Sequence, residues 1–427
     1  MKIPTVKSGS FSSFVVVWLI CTVFIILMIP SRSFDGDMRW WKEWASYILY
    51  HPIGEAYNNP LINYQPGFVY LLKLYGNLCQ GHFSNNSILI KQLIFIFDGL
   101  AVLLAGYLLH KINRSPFLAL IILFNPAYWY TTILWGQCDS MYVFFCLLSV
   151  VALIMNYRIF AVSAFALSLC VKPQAVFIAP VLFMLMLPEF WKKPLRILRY
   201  ALVFIATVFL VSLPFVLRGN GRRLLDLTFT AVDRLPSISM HAFNSWYLLI
   251  PGKDLVWAPD TQLFLGVSLK LIGLIMFIIA MSITLVPMGK QVRKGIDFGN
   301  TIKTEHVLLI YLTVALLNLD LFFFATQMHE RYIHAAIIFS GIAAMISGRY
   351  VVFSLISLGY LLNLDFLIRN FQLPESVYRA PLPFNEIFIA LLFLGALIIG
   401  HVEIYRSATF REEKEAKKNM LNPHFVK

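Results

Sequence analysis

Charge is scarce in this sequence: only 13% of its 427 residues are Asp, Glu, Lys or Arg, while 59% are hydrophobic. Soluble domains carry roughly a quarter charged residues, so a water-facing surface cannot be built around this chain and most of its apolar surface must face lipid. Cysteine is equally sparse. Cys21, Cys79, Cys138, Cys146 and Cys170 mostly fall inside apolar runs and show no C-x-x-C spacing, which speaks against a zinc site or a disulfide framework. No H-E-x-x-H occurs, and His241, His329 and His334 lack ligand spacing. The expectation is therefore no metal and no cofactor, a carboxylate-bound divalent cation being the one form left open. A net charge of +13 would suggest nucleic acid in a soluble protein. Here the charge follows the loops and reports topology, so no nucleic-acid partner is predicted.

What the chain has instead is apolar runs long enough to cross a hydrocarbon core of about 30 Å, recurring from Phe11 to Gly400 with no soluble-domain stretch between them. The predicted fold is all-α, a polytopic transmembrane helical bundle of about twelve segments. These are placed at 11–30, 88–110, 116–131, 140–156, 159–171, 174–188, 198–217, 263–287, 307–325, 332–348, 350–368 and 386–402. Residues 1–403 are read as one membrane module and 404–427 as a basic cytoplasmic tail. No small-residue cleavage site follows the first run, which is expected to be retained. Basic clusters such as Lys192, Lys193, Arg196 and Arg199, or Lys290, Arg293 and Lys294, mark the inner loops. With an even segment count they put both termini in the cytoplasm. Segments 159–171 and 174–188 meet at Lys172-Pro173-Gln174 and are read as a shallow hairpin with its tip near the outer face, in preference to one long kinked helix.

Two long outer loops, 31–87 and 218–262, are rich in Trp, Tyr, Asn and Pro, a composition that argues for function rather than disorder. Amphipathic interfacial helices are expected in the first, with Trp40, Trp41, Trp44 and a run of tyrosines from Tyr47 to Tyr75 in the headgroup zone.

Ionisable residues at membrane depth are costly and therefore become candidates for function. Asp35 and Asp37 follow the first segment, where a carboxylate can stay ionised and act as a general base. Lys91 and Asp98 lie two turns apart on one helix face and suit an interhelical polar clasp. Trp135-Gly136-Gln137-Cys138-Asp139-Ser140 is a polar break in which Asp139 either caps the next helix or shapes a site. Lys172, a lone ammonium beside a proline, needs an anionic partner such as a lipid phosphate. Gln327-Met328-His329-Glu330-Arg331-Tyr332 puts an imidazole, a carboxylate and a guanidinium in consecutive positions, suited to holding phosphate.

Taken in order, these pieces resemble the GT-C superfamily of polyprenyl-phosphate-sugar glycosyltransferases, especially bacterial mannosyltransferase-like members related to the GPI-anchor and dolichol-pathway enzymes. The resemblance covers most of the chain. It rests on Gly36-Asp37 with Trp44-Ala45, Asn63-Tyr64-Gln65-Pro66-Gly67 (similar to the family's Y-P-P-G, with Gln65 where Pro is frequent), Lys91 to Asp98, Trp135-Gly136-Gln137 with Asp139, Lys172-Pro173-Gln174, Asn244-Ser245-Trp246 and Met328-His329-Glu330-Arg331-Tyr332.

The resemblance implies an inverting hexosyltransferase acting at the outer, periplasmic or luminal face. Its donor would be a polyprenyl-phosphate-linked monosaccharide, and its acceptor a hydroxyl of a glycan or glycolipid. Asp37 is the implied base, with Asp35 as its alternative. Lys172, His329, Arg331 and Arg218 are the implied donor-phosphate ligands. Tyr64, Gln137, Asp139, Asn244, Trp246 and Glu330 are implied to shape the substrate site. Sugar transfer passes through an oxocarbenium-like state, so a base on one side and phosphate-holding cations on the other suit the chemistry without a metal. A lipid-linked-sugar flippase or transporter, a non-catalytic scaffold, and an O-antigen polymerase or ligase are the rival readings. Compactness and the positive-inside bias favour a bacterial inner membrane. Asn85-Asn86-Ser87 would be a glycosylation sequon in the endoplasmic reticulum.

Overall fold

The computed structural model describes residues 10–83, 87–230, 235–252, 254–294, 303–380 and 382–421. Asn85 and Asn86 of the sequon lie outside the described residues.

Helix α1 (Phe11–Leu27) leads into α2 (Asp35–Tyr50) and α3 (Pro66–Cys79), which form the first long loop. Helix α4 (Ser87–Lys111) is followed by a broken stretch of short helices α5 (Leu120–Leu123) and α6 (Pro126–Trp129), ending in a π turn over Tyr130–Trp135. Then come α7 (Asp139–Ile154), α8 (Arg158–Val171), α9 (Ala179–Lys192), α10 (Arg196–Leu217) and α11 (Gly221–Phe229). The second long loop holds strand β1 (Ser239–Met240), helix α12 (Ser245–Leu249) and the small hairpin of β2 (Leu263–Phe264) with β3 (Val267–Ser268). The C-terminal part comprises α13 (Leu269–Arg293), α14 (Thr304–Phe324), strand β4 (Met328–His329), α15 (His334–Ser347), α16 (Val351–Ile368), α17 (Glu375–Tyr378) and α18 (Glu386–Leu421).

The chain is thus a multi-pass α-helical membrane protein, but the expectation of about twelve spans is corrected. Among the described residues seven helices are long and apolar enough to cross a bilayer, and an eighth is gained only if the pair bent by 58° between Pro116–Leu123 and Pro126–Trp135 counts as one. Length is the reason. Helices α8 and α15 have 14 residues each, which at 1.5 Å per residue gives about 21 Å against a core of about 30 Å. Helices α1 and α7, with 17 and 16 residues, also fall short. Hydropathy reports apolarity and not where a helix stops; α15 is apolar because nearly every residue from His334 to Ile346 is buried among its neighbours. With the count changed, segment parity no longer fixes the side of the termini.

The chain folds back at Lys172-Pro173, but the hairpin is not shallow on both sides: its second limb, Pro173–Lys192, is one of the seven helices long and apolar enough to cross a bilayer. Arg158, at the start of α8, is ion-paired with Glu189 near the end of α9, so the feet of this hairpin meet. The aromatic belt expected in the first loop is also corrected: Trp41, Trp44, Tyr57 and Tyr75 are buried, and only Trp40 and Tyr50 are exposed. Trp41 and Trp44 lie on the inward face of α2 and pack against Phe68 and Tyr64, while Tyr57 packs against Phe215 and Tyr75 against Phe83.

One glycine shows how close the packing is. Pro66 starts α3 at a position where no amide hydrogen is needed. A side chain on the next residue, Gly67, would meet Val171 Cγ2 at 2.7 Å and the Cys170 carbonyl oxygen at 2.9 Å. The missing Cβ lets α3 touch the end of α8, one residue before Lys172.

Candidate functional site

A cavity of about 720 Å³ opens between the first loop, the α8–α9 turn and the segment after α14. Asp37, Tyr64, Lys172, His329, Glu330 and Arg331 all line it. Four helical or loop segments therefore bring six of the predicted residues to one place.

Asp37 lies in the first turn of α2. Its Oδ2 accepts hydrogen bonds from Trp135 Nε1 at 2.7 Å and from Gln137 Nε2. Both donors flank Gly136, the left-handed end of the π turn at φ +92°. A side chain there would meet Met38 Cε at 2.7 Å, and the Gly136 carbonyl accepts from Trp41 Nε1 at 3.0 Å. The backbone strain tolerated only by glycine thus aims Trp135 and Gln137 at one carboxylate oxygen. Tyr64 OH donates to Gln137 Oε1 at 3.4 Å, a long contact that closes the row.

The same cavity is also bordered by paired charges. Lys172 Nζ donates to Asp139 Oδ1 at 2.8 Å, with side-chain exposures of 6% and 0%. Arg331 Nε lies 3.7 Å from Asp139 Oδ2, and its Nη1 lies 3.3 Å from Glu330 Oε1. Its guanidinium carbon is 5.2 Å from the Trp135 ring centroid, while the Lys172 ammonium is 5.7 Å from that of Tyr64. Burial opposes the charge on Lys172, but the Asp139 carboxylate beside it outweighs this and holds the ammonium pKa above its ordinary value. Burial, and after it the Arg331 charge, push His329 below the usual imidazole value, which favours a neutral ring. Burial would raise Glu330, yet His329 and Arg331 keep its carboxyl below the usual range.

The expected anionic partner of Lys172 is therefore supplied internally by Asp139. That carboxylate does not cap a helix: Cys138 precedes α7, Asp139 is its first residue, and its side chain turns to Lys172. An ammonium has three donors and the pair with Asp139 uses one of them.

Other predicted residues are elsewhere. Asp35 is exposed and lines a second cavity with Arg32, Arg39 and Lys42; two residues along a helix turn the side chain through about 200°, away from Asp37. Arg218 does not line the cavity and pairs with Glu55 at 3.2 Å at the end of α10. Asn244 and Trp246 are buried braces. Asn244 donates to the Phe322 carbonyl at 3.0 Å, and Trp246 Nε1 reaches the Phe324 carbonyl at 3.2 Å, fixing the end of α14. Lys91 and Asp98 do not pair with each other: Lys91 donates to the carbonyls of Pro30 and Arg32, and Asp98 faces His334 Nε2 at 3.8 Å.

Two further features carry no sequence motif. Strands β1 and β4 pair in parallel, Ser239 with Met328 and Met240 with His329, which brings Met240 and His241 to the rim. The buried Asp260 accepts from Thr326 Oγ1 at 2.9 Å and Gln327 Nε2 at 2.8 Å, clamping the approach to His329. Only the oddity of a lone aspartate just ahead of an apolar helix hinted at it. Among the described residues, no group of three His, Cys, Asp or Glu side chains is arranged to hold a metal ion.

Fold and cavity together define an integral membrane protein with a polar, charge-lined cavity built from its loops and helix ends. Compared with known proteins, the chain matches no family model and no curated protein.

Proposed function

We propose that the chain is an inverting glycosyltransferase that moves a hexose from a polyprenyl-phosphate donor to a hydroxyl of a glycan or lipid-linked acceptor. The observation that carries this reading is the presence, in one cavity, of a carboxylate held through a single oxygen together with the cations Lys172 and Arg331. Both Asp37 hydrogen bonds fall on Oδ2. Oδ1 is the oxygen left to take the acceptor proton. As the acceptor oxygen bonds to the anomeric carbon, the bond from that carbon to the phosphate oxygen breaks, and its electron pair leaves with the polyprenyl phosphate. Lys172 and Arg331 stabilise the charge that collects there, and a neutral His329 can donate one hydrogen bond to the same group. Prior pairing with Asp139 and Glu330 fixes both cations before substrate arrives, so little reorganisation accompanies charge transfer.

The resemblance of the ordered motifs to GT-C polyprenyl-phosphate-sugar transferases supports the same reading. The basic clusters Lys192, Lys193, Arg196, Arg199 and Lys290, Arg293, Lys294 support a cytoplasmic placing of those two loops, and with it a reaction at the outer face of a bacterial inner membrane. The test is transfer from a polyprenyl-phosphate-sugar by the reconstituted chain. Transfer that depends on Asp37 separates this reading from a flippase or a scaffold.

A further inference from the structure

The end of the bundle remote from the Asp37 cavity carries a second constellation that sugar transfer does not use. Helix α8 has 14 residues from Arg158 to Val171, so about 21 Å separate Arg158 from the Lys172 end. At the Arg158 end the Glu189 carboxylate accepts from Arg158 on one oxygen and from Arg196 on the other, and Tyr200 OH donates to both at 3.1 and 3.2 Å. The Glu189 side chain is 5% exposed, while those of Arg158 and Arg196 are 26% and 39% exposed. An opening of about 550 Å³ is bordered by these groups, by Arg199, and by Tyr157 and Phe160.

Two guanidinium groups pair with one carboxylate and a third, Arg199, borders the same opening, which leaves surplus positive charge there. Each guanidinium has five donors, and Glu189 uses only a few of them while holding two of the planes in place. Arginine at all three positions suits the planar, two-pronged recognition of phosphate oxygens better than lysine would. The lipid side is equally specific. Leu198, Leu202, Ile205 and Phe209 recur at intervals of four, three and four residues, so they form one stripe along α10. They are 61%, 67%, 61% and 52% exposed, and the stripe starts beside Arg199.

We infer that this opening holds the phosphodiester headgroup of an anionic phospholipid, with its acyl chains lying along the α10 stripe. A free phosphate ion would use the arginines but not the stripe. A zwitterionic lipid would use the stripe but bring no net negative charge to the arginines.

The test uses the full chain purified in detergent, with phosphatidylglycerol, phosphatidylcholine or inorganic phosphate added. Retained lipid is counted by native mass spectrometry, and thermal stability is followed in parallel. Phosphatidylglycerol is expected to be retained and to raise the melting temperature, with no rise from the other two. Arg199→Ala, which lies outside the Glu189 ion pairs and so spares the buried carboxylate, is expected to weaken retention about fivefold, the effect of roughly one surface cation near an anionic lipid. Arg349→Ala, a basic residue in another loop, is expected to leave retention unchanged. Equal stabilisation by phosphatidylcholine, equal stabilisation by inorganic phosphate, or unchanged retention in Arg199→Ala would each overturn the inference. None of these outcomes bears on sugar transfer.

Discussion

Trp135 donates its indole hydrogen to Asp37 Oδ2 at 2.7 Å while the face of the same ring lies under the Arg331 guanidinium, 5.2 Å from centroid to carbon. One side chain therefore spaces the carboxylate and the cation. The edge of the indole holds the carboxylate and its face holds the guanidinium, so each is engaged by a different part of one ring. Trp135→Phe keeps the ring and removes the donor. Transfer is expected to fall about tenfold or more, in line with the loss of one charge-assisted hydrogen bond of about 1.5 kcal/mol or more. Donor affinity, measured separately by binding of polyprenyl phosphate, is expected to change little.

Lys172 and Asp139 are a buried pair whose separation is more damaging than its loss. Lys172→Met strands the Asp139 carboxylate with only Arg331 at 3.7 Å, and a loss of about 3 kcal/mol is expected, visible as a lowered melting temperature. Lys172→Met combined with Asp139→Asn should recover most of that stability. It should not recover transfer, because a phosphate ligand is still missing. Recovery of transfer by the double variant would remove Lys172 from the mechanism.

Asp35 and Arg218 separate the structure from the sequence. Both were candidates by residue type, and both lie outside the cavity. Asp35→Ala and Arg218→Ala are each expected to leave transfer within about twofold of the parent. Loss of the exposed Arg218–Glu55 pair should cost no more than about 1 kcal/mol. A collapse of transfer in Asp35→Ala would reverse the assignment of the base.

Acid should weaken the fold in two steps. His329 has its pKa lowered, so the unfolded chain binds more protons than the folded one and stability falls as pH drops through the ordinary imidazole range near 6.5. Glu330 is also held below its usual value. Its contribution is complete above the ordinary carboxylate range near 4.5 and is lost as pH falls further. Melting temperatures between pH 8 and pH 4 should show both steps, and His329→Gln should remove the first and, by taking away one of the two groups that hold the Glu330 carboxyl down, also shrink the second.

Much of the site was legible because polar residues stand out in so apolar a chain. Asp37, Tyr64, Lys172, His329, Glu330 and Arg331 were all visible by type and position, and the structure brings them to one cavity. What was not legible depended on geometry that composition does not encode. Asp35 and Asp37 look interchangeable until helix α2 is seen to start at Asp35, which turns them to different sides. The Lys172–Asp139 pair spans 33 residues of chain, and no local pattern announces it. Trp135 owes its role to a π turn that hydropathy cannot see. The span count failed for a related reason: short helices such as α8 and α15 are apolar because protein surrounds them as well as lipid, and a hydropathy window treats the two alike.

If Asp37 removes the acceptor proton, Asp37→Asn must abolish most of the transfer. The amide oxygen can still accept from Trp135 and Gln137, so the cavity should keep its shape and the purified protein its melting temperature. In reconstituted membranes with a polyprenyl-phosphate-sugar donor, the transfer rate is expected to fall by about a hundredfold to ten-thousandfold, the usual weight of a general base. Transfer at the parent rate by a well-folded Asp37→Asn protein would contradict the account.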